Sequence, residues 1–172
     1  MKNIIAAVVA GLIMFFWGFV SWSQLNWHET DVYKFADEQA VVEALIENAP
    51  ESGIYYIPGN EEDLKPGSPS GMANVMKDGF QIGLGQMMIQ GVIASILMAY
   101  IAIMLLCKTS ITGTMQKVGF ITLTGLLIGI SSSFMYWNWM GFPSGHSLVN
   151  LLDTVITWAL AGVAIAYIAD TD

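Results

Sequence analysis

The sequence predicts an all-α membrane protein: a bundle of four transmembrane helices with a mixed, partly helical acidic extracytoplasmic segment between helices 1 and 2. Three observations predict it. Of 172 residues, 55% are hydrophobic and only 12% charged, where a soluble domain carries roughly 25% charged residues. Four apolar runs approach the roughly 20 residues needed to cross a hydrocarbon core of about 30 Å. The charge is also confined. Residues 24–79 hold three lysines and eleven acids, a local charge of −8, against three of each elsewhere, so the whole formal charge of −8 sits in one segment.

The first apolar run covers residues 4–22, within a segment 1–23. Its n-region holds only Lys2, the run exceeds the 7–15 residues of a signal peptide, and bulky aromatics end it, so it is expected to stay as a membrane anchor. The second run lies in 80–107, the third in 118–137 and the fourth in 148–168, with a short tail to 172. Connections 108–117 and 138–147 join them. Trp17, Trp22, Trp27, Tyr136, Trp137, Trp139 and Tyr167 lie near the run ends, where amphipathic rings prefer the headgroup layer. Lys2, Lys108 and Lys117 flank the runs on one side, and short cytoplasmic loops carry an excess of positive charge. Both termini are therefore expected in the cytoplasm and residues 24–79 outside, with a bacterial inner membrane as the first expectation. No Asn-x-Ser/Thr sequon marks a glycosylated outer face.

Within the outer segment, Val41, Val42, Leu45 and Ile46 recur at helical spacing between Asp37 and Pro50. Asp37 and Glu38 stand near the favourable positive end of that helix. Gly53 to Pro58 is rich in β-branched and aromatic residues and reads as a short strand or extended piece. Residues 59–71, dominated by Gly, Pro, Ser and acids, read as a mobile loop. The segment is too poor in apolar residues to build its own core and is expected to cap the helix ends or a neighbouring protein.

Small residues recur at four-residue intervals along the runs: Gly91 and Ser95 in the second; Gly125, Gly129 and Ser133 in the third. Gly162 stands in the fourth. Such spacing lets backbones approach closely in lipid, so these faces are expected to pack between helices. The informative polar residues are Asn150, Asp153, Thr154 and Thr157 in the fourth run, with Gln86 and Gln90 one turn apart in the second. Their similar depth suggests one outer-half polar pocket. A carboxylate at membrane depth is a functional candidate by default. No lysine is placed to pair with Asp153, which leaves three states: neutral, wetted at the interface, or satisfied by a cation or partner subunit.

The absence of arginine and of any basic patch excludes nucleic acid as a partner. One cysteine, Cys107, excludes an intrachain disulfide, CxxC redox chemistry and Cys-rich metal sites. Pro143-Ser144-Gly145-His146 is similar to one element of the lipid phosphatase and haloperoxidase family. That family also needs a Lys/Arg-Pro element and a later Arg and His, and this chain has no arginine and no histidine after His146, so the match ends at four residues. Gly141-Phe142-Pro143-Ser144-Gly145 is one residue too long for a rhomboid-type Gly-x-Ser-Gly. His28 and His146, with Glu29 or Asp31, make a candidate two-histidine, one-carboxylate metal site. No histidine lies inside a run to hold haem, and no cofactor is expected. Two function classes remain. One is a non-catalytic accessory or assembly subunit, whose acidic outer segment docks a membrane-protein partner or a second copy. The other is a small oligomeric transporter or channel using Asp153 with Gln86 and Gln90 as a cation or proton site.

Overall fold

The computed structural model describes residues 1–171; the last residue of the C-terminal tail lies outside the described residues. Four helices are long and apolar enough to cross a membrane: Lys2–Gln24, Leu84–Leu106, Thr114–Met140 and Ser144–Ile168. The first is α1, the second α3 and the last α6. The third is composite. It runs as α4 over Thr114–Gly129, loosens into a π-helical turn over Ile130–Phe134 and tightens again as α5 over Met135–Met140. Apolar content alone places this run at 118–137; Thr114 to Lys117 extend the helix at one end and Asn138 to Met140 at the other. Gly141, at φ 68°, ends it in the left-handed region that glycine enters without steric cost, and α6 begins three residues later at Ser144.

The helices pack in the order α3, α1, α6, α4, with α3 and α4 meeting only sparsely beyond their connection. α1 is central because one of its faces is built from small residues. Ala6, Ala7, Ala10 and Met14 of α1 share one buried cluster with Ala99, Ala102, Ile103 and Leu106 of α3 and with Trp158, Ala161 and Ile165 of α6. At Gly11 the backbones come so close that a Cβ would stand 2.5 Å from the Ile96 Cα. Ser95 is buried and returns its hydroxyl to the Gly91 carbonyl at 2.9 Å. Gly91 itself faces only the Phe15 ring. On the other side, Gly125 lies directly under Trp158, Gly129 under Leu151, and Gly162 against Ile121. These contacts join α4 to α6.

One end of the molecule gathers the chain termini. The Asp170 amide donates to Asn3 Oδ1 at 2.7 Å, and Lys2 reaches the Asp170 carboxylate at 3.7 Å. Lys108 and Lys117 flank the α3–α4 connection at the same end.

At the opposite end, residues 25–83 form a small unit. A 3-10 turn, Asn26–Glu29, folds back onto the ends of α1 and α6. α2 covers Glu38–Asn48, and the side chain of Asp37 caps it by accepting from the Ala40 amide at 3.0 Å. β1 (Gly53–Ile57) pairs antiparallel with β2 (Gly71–Val75), Tyr55 opposite Ala73. The stretch expected to be loop up to residue 71 thus ends in a strand whose sequence, Gly-Met-Ala-Asn-Val, carries almost no β signal of its own. Lys77 ties hairpin to helix: its Nζ donates to the Ala49 carbonyl at 2.7 Å and its amide to Ser52 Oγ at 3.1 Å. α2 has no buried residue, and no long helix packs on it substantially.

Candidate functional site

Trp17 and Ser21 stand one turn apart on α1, so both side chains leave the same face of the helix, the one that meets α6. There they find Asp153, nine residues into α6 and so roughly 13 Å along its axis from Ser144. Trp17 Nε1 donates to Asp153 Oδ1 at 2.6 Å, and Ser21 Oγ donates to the same oxygen at 2.8 Å. The 3-10 turn after α1 then swings His28 back over the pair. Its Nε2 lies 2.9 Å from Ser21 Oγ and 3.4 Å from Asp153 Oδ2. Trp27 Nε1 completes the group by donating to Ser21 Oγ at 3.0 Å.

Proton positions follow from this arrangement. A serine hydroxyl has one proton and two acceptor lone pairs. Ser21 gives its proton to Asp153 and accepts from Trp27, so its remaining lone pair faces His28, whose Nε2 must be the donor. His28 is therefore protonated on Nε2, and Nδ1 is left over. Nδ1 is buried with no hydrogen-bond partner among the described residues. Rings hold the imidazole in place: Trp22 stacks on it at 3.9 Å with planes 10° apart, and Trp27 meets it edge-on. Ser21 is fully buried, His28 is 5% exposed, and the Asp153 side chain keeps 13%.

This trio is not a charge-relay triad. In such a triad the carboxylate holds the histidine nitrogen remote from the nucleophile. Here carboxylate and hydroxyl crowd the same Nε2, and no surface reaches Ser21 for a substrate to meet. What the geometry does supply is a partly buried carboxylate held by two strong donors and bordered by a histidine.

Beside it opens a cleft of about 400 Å³, walled by Trp22, Tyr136 and Phe142 and floored by His146, Asn150, Asp153 and Thr154. The π-helical turn borders the cleft with Ser132 and Ser133; such one-turn irregularities are frequent at functional sites. Asn150 Nδ2 donates to the His146 carbonyl at 3.0 Å, and the Thr154 hydroxyl to the Asn150 carbonyl at 2.8 Å. His146 Nδ1 and Ser147 Oγ are buried with no partner among the described residues.

Of the residues singled out in the sequence, Asn150, Asp153, Thr154, Ser133 and His146 come together here. Thr157 lies a turn deeper, bonded to the Asp153 carbonyl, and does not line the cleft. Gln86 and Gln90 do not join: both are exposed on α3, which is separated from α6 by α1. The expected four-residue metal set does not assemble either. His28 is committed to Ser21 and Asp153, Glu29 is exposed, and Asp31, at φ 61°, lays its carboxylate against Gly145 at the start of α6. Among the described residues no three His, Cys, Asp or Glu side chains gather as a metal-holding group. Trp17, Ser21, Trp22 and Trp27 are site residues that the sequence does not mark as such. Three of them are aromatics at a run end, which reads as a headgroup anchor, and the one available signal is the i, i+4 spacing of Trp17 and Ser21.

No protein-family model, curated protein or solved structure matches this chain.

Proposed function

We propose that this chain is an integral membrane protein of four spans that serves as an accessory or assembly subunit of a larger membrane complex. Both termini face the cytoplasm of a bacterial-type inner membrane, and the acidic outer unit docks a membrane-protein partner with a basic outer surface. The observation that carries this reading is the unpartnered apolar surface of the outer unit. Val42 and Ile46 on α2 and Ile54, Tyr56 and Ile57 on the hairpin are 44–60% exposed. They share a segment with eleven acids and three lysines. Exposed apolar side chains among many acids are residue types that an interface covers, and the charge complements a basic partner. Gln86 and Gln90 add to it: two amides on the outer face of an apolar helix gain most from a neighbouring helix that hydrogen-bonds them.

The test is purification of the tagged chain from its native membrane in mild detergent, with mass identification of what accompanies it. The expected outcome is one reproducible membrane complex, lost on Val42→Asp together with Ile46→Asp while the chain itself stays folded. A homo-oligomer without companions would sink the reading. In that case the transport alternative would rest on Asp153 without the two glutamines, and Asp153→Asn in a liposome flux assay would test it.

A further inference from the structure

The cleft beside Asp153 offers its occupant acceptors. Thr154 and Ser132 have their hydroxyl protons committed to helix carbonyls, and one of the two Asn150 amide N–H bonds is committed likewise. These three therefore offer the cleft lone pairs on the Thr154 and Ser132 oxygens and on Asn150 Oδ1, beside the second Asn150 N–H. Asp153 adds a formal negative charge. Its Oδ1 is filled by Trp17 and Ser21, but Oδ2 has among the described residues only the 3.4 Å contact to His28. No lysine or arginine is among the lining residues, and three of the walls are aromatic. Ser147 Oγ and His146 Nδ1, buried and unpartnered among the described residues, add polar capacity at the base.

We propose that this cleft binds a small organic ammonium group, a protonated amine whose N–H bonds meet Asp153 Oδ2 and Asn150 Oδ1 and whose alkyl part lies on Trp22 and Tyr136. The chemistry selects it on three counts. A donor-rich cation matches an acceptor-rich lining that ends in a carboxylate. Aromatic faces attract a cation within about 6 Å of the ring centre. A volume of about 400 Å³ suits an organic ligand rather than a bare ion, since small-molecule sites span roughly 300–1,000 Å³. The amine has two sources, a soluble molecule or the headgroup of an aminophospholipid. The site does not depend on the accessory role.

The experiment uses the full chain in dodecyl maltoside, a micelle with neither charge nor amine, in phosphate buffer. Propylammonium and a neutral alcohol of similar size, 1-butanol, are titrated in parallel, followed by tryptophan fluorescence and calorimetry. Saturable propylammonium binding at least tenfold tighter than butanol, weakened at least tenfold in Asp153→Asn and several-fold in Thr154→Val, is the expected result. Dihexanoyl phosphatidylethanolamine and dihexanoyl phosphatidylglycerol then serve as competitors. Displacement by the first alone identifies a lipid headgroup, and displacement by neither a soluble amine. Equal response to propylammonium and butanol, or unchanged affinity in a folded Asp153→Asn, overturns the proposal. If that variant does not fold, the comparison of the two probes on the wild-type chain decides.

Discussion

Ser21 is the residue on which the site turns, because its single hydroxyl serves three partners at once. Replacing it by alanine strips Trp27 Nε1 and His28 Nε2 of an acceptor and Asp153 of a donor, all in a water-poor setting. An unsatisfied buried group costs about 1–3 kcal/mol, so Ser21→Ala is expected to lower the unfolding free energy by at least that much, read from denaturant titration in detergent micelles. Asp153 provides a sharper contrast. Asp153→Asn keeps an oxygen for Trp17 and Ser21, whereas Asp153→Ala leaves both donors bare and should be the more destabilising by roughly 2 kcal/mol. An equal loss in the two variants would show that the oxygen's hydrogen bonds contribute nothing. The histidine tautomer is open to direct observation: nitrogen-15 chemical shifts of neutral His28 should report the proton on Nε2, and a proton on Nδ1 would break the network deduced above. Little of this is legible in the sequence. Asp153 stands out as a carboxylate in an apolar run, but its partners lie 125 to 136 positions away, and beyond the one-turn spacing of Trp17 and Ser21 nothing local signals the meeting.

At the scale of elements, the long helices are legible because an apolar run of lipid-crossing length has almost no place in a water-soluble chain, and α2 because its spacing and its acidic start agree. β2 is not, since Gly71–Val75 is a strand only by virtue of lying opposite Gly53–Ile57. Glycine spacing predicts close helix contacts, and the contacts differ in severity for physical reasons that spacing cannot carry. Gly125 has the Trp158 side chain on top of it, with a rigid indole that has nowhere to go, while nothing lies within 4 Å of a Cβ at Gly119. Gly125→Ala is expected to cost about 1–3 kcal/mol through overpacking. Gly119→Ala should be neutral or stabilising by up to about 1 kcal/mol, because alanine is the better helix former. Comparison of the two melting temperatures checks both statements; matched shifts would mean that α4 does not pack on α6 through this face. Gly11, whose Cβ would strike the Ile96 backbone, is the tightest approach between α1 and α3. It belongs to no four-residue glycine repeat, and its one sign in the sequence is the small residue Ala7 four positions before it.

For the whole molecule, the distribution of charge and the meeting of chain ends make one argument about topology. Lys2, Lys108 and Lys117 lie at the end where Asn3, Cys107 and Asp170 converge, and the acidic unit lies at the other. In the proposed topology of four spans, the positive-inside tendency would place the lysine end in the cytoplasm and the net −8 of residues 24–79 on the far side. Cysteines introduced by Glu62→Cys and, separately, Lys108→Cys in a Cys107→Ser background turn this into a measurement. In right-side-out vesicles a membrane-impermeant maleimide should label position 62 at once and position 108 only after permeabilisation. Labelling of both from outside would remove the four-span reading, because α3, the one helix between them, would then not cross the bilayer. The reverse order would keep the four spans and invert the orientation, putting the acidic unit and the mouth of the Asp153 cleft on the cytoplasmic side. Either amine source would then have to be supplied from within the cell, and the basic partner sought there as well.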